Sequence, residues 1–143
     1  IAADESIRKA QDPLRVARLE AADHIVVKVQ PLGGVRAAIR VVEQCGLPAT
    51  VSSALESSVG LSAGVALAAS LEDESAAGLG TAALLSADVV TNPLRAREGV
   101  LPVGRVEPSQ LLLEKYRAQP ARTEWWVRRL RACWARLREG RED

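Results

Sequence analysis

Lys28 stands in "HIVVKV", residues 24–29, a short apolar run rich in β-branched residues that has the character of a strand. A basic side chain in such a run needs a reason, because an ammonium is costly to bury without water or a counter-charge. The chain holds 19 Lys and Arg, and only Lys9, Lys28 and Lys115 are lysines. Lysine is the basic residue whose proton affinity a site can shift, so its place on the most apolar strand points to chemistry. Two other strand-like runs also lead into polar residues. "IAA" (1–3) is followed by Asp4 and Glu5, and "ATV" by Ser52 and Ser53. A carboxylate, an ammonium and hydroxyls at successive strand ends are the kind of side chains that build a site at one end of a parallel sheet.

The elements that position these residues follow from spacing. Strand-like runs start at 1, 24, 49 and 76, with "AAGLGT" (76–81) the weakest of the four. Between them lie helical patterns. "DPLRVARLEAA" has Pro13 suited to a first turn, "GVRAAIRVVEQCG" has Gly46 as a stop, and "SVGLSAGVALAASL" is a third. Strand and helix alternating at a near-constant interval predict βαβ units and a parallel sheet. Polar residues at the C-terminal ends of consecutive strands favour a (β/α) barrel, whose active sites lie at that end. A doubly wound sheet is the runner-up. Its fingerprint is matched at "GLGTAA" (78–83), but this motif comes last in the series and follows "LEDESAA", which does not read as a buried strand.

About four βα units fit before residue 82, half of a barrel. The reading therefore divides the chain into residues 1–98, a partial barrel holding strands five to eight, and residues 99–143, a tail. In the tail "GVLPVGRV" (99–106) is expected as an edge strand and "PSQLLLEKYRAQ" (108–119) as a helix. Residues 121–140 are expected as a last helix with Trp126, Leu130, Trp134 and Leu137 on one packing stripe and arginines on the solvated face. Arginine interleaved with tryptophan also suits a nucleic acid or a membrane surface, which is the rival reading.

Composition excludes several classes. With 48% apolar residues the chain is not disordered, and a net charge of +1 sets up no global field for a polyanion. "VGLSAGVALAASL" (59–71) is too short to span a bilayer. Cys45 and Cys133 lack ligand spacing, which fits a reducing compartment, and the opening acids and bases do not read as a secretory leader. A cytoplasmic location is expected. The absence of methionine and the opening "IAADES" lead to the expectation of a C-terminal part of a longer protein.

"AADES", "IVVKVQPLGG", "VSSALESSVG" and "GLGT", in this order and spacing, resemble the C-terminal half of the o-succinylbenzoate synthases, a family of the enolase superfamily in menaquinone biosynthesis. The resemblance covers about residues 1–106, and the Trp-rich tail is similar to the ends of actinobacterial members. It implies a modified (β/α) barrel capped by a second domain, to which the tail would contribute, and a magnesium-dependent carbon–oxygen lyase acting on a small molecule. Asp4 matches the third of three Mg²⁺ carboxylates and Lys28 the lysine at the end of the sixth strand. Ser52, Ser53, Gly78 and Leu79 belong to the segments that resemble the substrate-binding loop and turn. The other two metal ligands and the lysines of a K-x-K motif have no counterpart here, so the chain alone is expected to be inactive. Proton abstraction next to a carboxylate creates an enediolate, whose charge a hard cation and an ammonium would both stabilise.

Plainer readings exist for each residue. Asp4-Glu5-Ser6 could cap a helix, and Lys28 could be a snorkelling edge lysine. Glu56 is read as structural and ion-paired at the barrel mouth, His24 as structural, and Cys45 as packing. Within the superfamily the alternative activity is N-succinylamino acid racemisation. Outside it the alternative is a non-catalytic chain binding anions through its tail. The expected partner is a small-molecule substrate, with neither nucleic acid nor membrane.

Overall fold

In the computed structural model, which describes residues 1–71 and 75–139, three parallel strands form one sheet in the order β1 (Ala2–Ala3), β2 (His24–Val27), β3 (Ala49–Val51). The register pairs Ala3 with Ile25 and Val27 with Val51, so the C-terminal ends of all three strands lie together. Helices α1 (Asp12–Arg18), α2 (Val35–Cys45) and α3 (Ser58–Ala68) follow the strands in turn.

Local chemistry sets the helix limits. Pro13 opens α1, where its missing N–H costs nothing, and Asp12 accepts the backbone N–H groups of Arg8 and Lys9, both at 2.8 Å. Helix α1 therefore begins at Asp12, and Asp4 lies in the turn before it, not at a helix cap. Gly46 ends α2 at φ 69°, a left-handed conformation that glycine adopts without a Cβ penalty, and returns its N–H to Val42 O.

Burial alternates along the strands with the two-residue period of a pleated sheet. Ile25, Val27, Val29, Ala49 and Val51 are buried with Leu61 and Leu67 of α3, and each fully buried side chain of this size contributes roughly 1.5–3 kcal/mol. The other face carries His24, Val26, Lys28, Thr50 and Ser52, all half-exposed. One face is thus covered by helices and the other is open. That open face is mostly polar.

Two expected strands are absent in that form. Residues 76–81 make a single bridge, Gly78 to Ser52, and then a 3₁₀ turn, Thr81–Leu84. An Ala/Gly run has little side chain to pack and finds no further strand beyond it in the sheet. Residues 99–106 form no strand either; Pro102 cannot donate to a ladder, and the pairing nearby is one antiparallel bridge, Arg97 to Val100. The tail helices are α4 (Gln110–Lys115), shorter than expected because Leu111 and Leu113 stay exposed, and α5 (Pro120–Glu139).

Candidate active site at the strand ends

Just past β1, β2 and β3 the chain places Asp4, Lys28 and Ser52–Ser53. Asp4 and Lys28 are 24 residues apart in sequence, yet the Lys28 ammonium Nζ donates to Asp4 Oδ1 as a salt bridge. Register explains the meeting. Ala3 pairs with Ile25, so Asp4 continues on the same face as Val26 and Lys28. The Lys28 side chain is 18% exposed and that of Asp4 42%, so the stem is covered while both charged ends reach an open cleft. Lys28 is therefore no edge-strand lysine, since β2 is the central strand.

The cleft has a volume of about 560 Å³, and Asp4, Glu5, Arg8, Lys28, Ser53 and Thr81 are its polar lining. Ser53 is buried; its Oγ donates to Gly78 O at 3.0 Å and shares a 2.7 Å hydrogen bond with Thr81 Oγ1. Gly78 is locked into the sheet by its own N–H, which donates to Val51 O at 2.8 Å. Ser52 Oγ reaches only Gly78 O, at 3.4 Å, and Ser52 does not line the cleft. The Leu79 side chain is buried against Gly64 of α3, and neither Gly78 nor Leu79 lines the cleft.

The residues read as structural have satisfied partners. His24 Nε2 meets Thr50 Oγ1 at 2.8 Å, and the buried Cys45 thiol donates to Pro13 O at 3.4 Å. Glu56 accepts the Ala54 N–H at 2.8 Å rather than making an ion pair, because its loop turns back on itself there. Sequence reasoning missed Arg8 and Thr81 as cleft residues. Thr81 closes the quoted "GLGT", a signal that could have found it; Arg8 had none beyond following "DESI". Asp88 was also missed. It accepts the N–H and the hydroxyl of Ser58 at 3.0 and 2.6 Å and so caps α3 from a distant loop.

Asp4 is a hard oxygen donor of the kind magnesium takes, but Mg²⁺ needs several such ligands. Among the described residues no three His, Cys, Asp or Glu side chains converge as a metal site would require. Asp4 offers one such oxygen donor, and the described residues do not complete a metal site around it.

The sequence profile of the enolase C-terminal domain-like family matches residues 1–108. The chain belongs to that family. Among relatives of this enolase C-terminal domain-like chain, it is 56% identical over 138 residues to an o-succinylbenzoate synthase of Thermobifida fusca (strain YX), covering 96% of this chain and 44% of that protein. It is 48% identical to an o-succinylbenzoate synthase of Mycobacterium leprae (strain TN), covering 96% of this chain and 41% of that protein. The chain thus spans less than half the length of these relatives. Its backbone superposes on muconate lactonizing enzyme from Pseudomonas putida with a TM-score of 0.72 at 26% identity, over 81% of this chain and 35% of that one. The enzyme from Pseudomonas fluorescens complexed with muconolactone gives 0.75 at 26% identity, over 82% and 34%. These matches give the parallel sheet its context as part of an enolase-type (β/α) barrel, whose lumen corresponds to the open face of His24, Val26 and Lys28.

Proposed function

We propose that this chain supplies the C-terminal half of the barrel of an o-succinylbenzoate synthase. The reaction is the magnesium-dependent dehydration of 2-succinyl-6-hydroxy-2,4-cyclohexadiene-1-carboxylate to o-succinylbenzoate in the cytoplasm, by syn elimination of water. One observation carries the reading: within a chain 56% identical to such an enzyme, Asp4 and Lys28 meet at adjacent strand ends over an open cleft.

Each residue has a role consistent with its chemistry. Lys28 holds an ammonium over the ring, where it stabilises the negative charge that spreads when the proton next to the carboxylate leaves. Asp4 would be one of the ligands of Mg²⁺, and the ion, when bound, supplies positive charge opposite that carboxylate. The Ser53 and Thr81 hydroxyls and the turn at Gly78–Leu79 would receive the succinyl carboxylate, with Ser52 supporting that turn. The chain has no K-x-K motif. The proton is therefore assigned to a lysine of the partner half, not to Lys28.

The test is reassembly. Alone, the chain is expected to show no dehydratase activity; co-expressed with the segment of the Thermobifida fusca protein that precedes the matched region, it should restore activity, followed as loss of the diene. Lys28→Ala in the reassembled pair should remove it. A soluble pair without turnover, a pair that racemises N-succinylamino acids and does not dehydrate, or turnover by the chain unaided would each overturn the proposal.

A further inference from the structure

Among the described residues, Glu20, Leu55 and Glu98 have a positive φ without being glycine. Leu55, at φ 63°, is the one that lines the cleft of Asp4 and Lys28. The left-handed region presses a Cβ against the carbonyl oxygen that follows it, and bulky side chains are rarely found there. Packing in the core does not offset this strain, because Leu55 is no part of the core cluster. Its chain neighbours hold it instead. Glu56 accepts the Ala54 N–H at 2.8 Å, which closes the turn around Leu55. The Glu56 stem lies against Gly60, the third residue of α3, where an added Cβ would come within 2.6 Å of Glu56 Cβ. Gln30, from the loop after β2, donates to Gly60 O at 3.4 Å. All these contacts lie inside the chain, so they fix the backbone at Leu55 whatever the other half of the barrel adds around the cleft.

We propose that Leu55 is a specificity-determining residue, held in its strained conformation so that its side chain grips the two methylene carbons of the succinyl chain. The inference rests on the proposed reaction and deepens it. Strain that a structure maintains without a packing gain is characteristic of ligand sites, where it sets the direction of one side chain. The order of residues along the cleft wall says which part of a ligand Leu55 would meet. Ser53 and Thr81 form a polar pair through their 2.7 Å hydrogen bond. Leu55 follows Ser53 by two residues, Leu84 follows Thr81 by three, and both leucines line the same cleft. A hydroxyl pair bordered by two leucines suits a ligand segment that ends in a carboxylate and is hydrocarbon just before it. The succinyl chain is such a segment. The ends of several strands build the mouth of a (β/α) barrel, so the missing strands line the opposite wall, and the ligand lies between the two.

The test uses the reassembled pair and two inhibitors: o-succinylbenzoate, the product, and benzoate, which has the ring and its carboxylate but no succinyl chain. Leu55→Gly should raise the inhibition constant of o-succinylbenzoate about 10-fold, the equivalent of two buried methylenes, and that of benzoate by less than about twofold. KM should rise by more than kcat falls. Leu55→Met keeps an apolar side chain of similar length and should retain the tight inhibition by o-succinylbenzoate. In urea, the Leu55→Gly chain should unfold no earlier than the parent, because glycine takes the left-handed conformation without a Cβ penalty. An unchanged constant for o-succinylbenzoate, or an equal loss for both inhibitors, would overturn the inference and leave the reaction standing. So would a lowered urea midpoint, which would make Leu55 a residue of the fold, or weaker association of the halves with both inhibition constants unchanged, which would make it a contact to the other half. A parent pair that binds o-succinylbenzoate without dehydrating the diene would overturn the reaction and this inference with it.

Discussion

Asp88→Ala should unfold this chain more readily than its half-exposed position suggests. Ser58 is completely buried at the first turn of α3, where its N–H has no partner within the helix. Asp88 accepts that N–H at 3.0 Å, the Ser58 hydroxyl at 2.6 Å and the Val89 N–H at 2.7 Å, while Ser58 Oγ accepts the N–H of buried Leu94 at 2.7 Å. Alanine at position 88 leaves two Ser58 donors without an acceptor in a place water does not reach. A hydrogen bond to a charged group is worth roughly 1.5–3 kcal/mol and a lost helix cap about 1 kcal/mol. The two Ser58 bonds overlap in a single site, so we expect a total of about 2–4 kcal/mol, since neighbouring terms do not add fully. Asp88→Asn keeps one acceptor and should lose about half as much. Ser58→Ala strands the Leu94 N–H and should cost about 1–3 kcal/mol, and the double variant should fall short of the sum by about 1 kcal/mol. Urea denaturation followed by far-ultraviolet circular dichroism measures all four proteins, with a lowered midpoint and an unchanged slope expected. An Asp88→Ala chain within about 0.5 kcal/mol of the parent would refute the reasoning, because surface substitutions without structural partners lie in that range.

In the reassembled enzyme, Lys28→Ala and Lys28→Arg should each lower turnover by orders of magnitude while leaving unfolding nearly unchanged, because a guanidinium is wider and fixed in plane; near-normal kcat in either would sink the assignment. Asp4→Asn should weaken magnesium binding and activity together in a metal titration, with the cleft shape kept. The N–H groups of Arg8 and Lys9 hold Asp12 below its ordinary 3.8, so its contribution is full above that value and fades as pH falls through the lowered one. Asp12→Asn should therefore lose stability near neutral pH and flatten the acid limb of the unfolding profile; an acid limb that matches the parent would contradict this. A Cβ at Gly64 would come within 2.9 Å of Leu79 Cδ2, so Gly64→Ala should be destabilising by up to about 2 kcal/mol, overpacking outweighing the gain in helix propensity. Adding Leu79→Val should recover part of the loss, and no recovery in denaturant titration would count against that contact.

Much of the barrel segment was legible because its signals are local. The β-branched runs at 24–29 and 49–54, Pro13 at the start of α1 and Gly46 at the end of α2 act within a few residues of where they stand, and they appear where expected. Lys28 and Asp4 were legible as strand-end residues for the same reason. Their contact needed the β1–β2 register, which pairing across 22 residues sets and no local pattern encodes. The run at 76–81 shows the limit from the other side. Its strand character depends on neighbours, and with Ser52 alone to pair with, it stops at one bridge.

What the sequence by itself determined is the set of elements, their order and the residue types at their ends, since propensity, capping and periodicity are short-range properties of the chain. Only the tertiary structure decided which face of the sheet is covered, that Asp88 rather than a local side chain caps α3, that Leu79 packs inward while Ser53 meets Thr81, and that the stripe of Trp126, Leu130, Trp134 and Leu137 on α5, expected to pack, stays exposed in this chain. An amphipathic pattern marks a face that gains free energy when it leaves water, but it does not name the surface it meets, and that surface is supplied by residues or molecules far away in sequence.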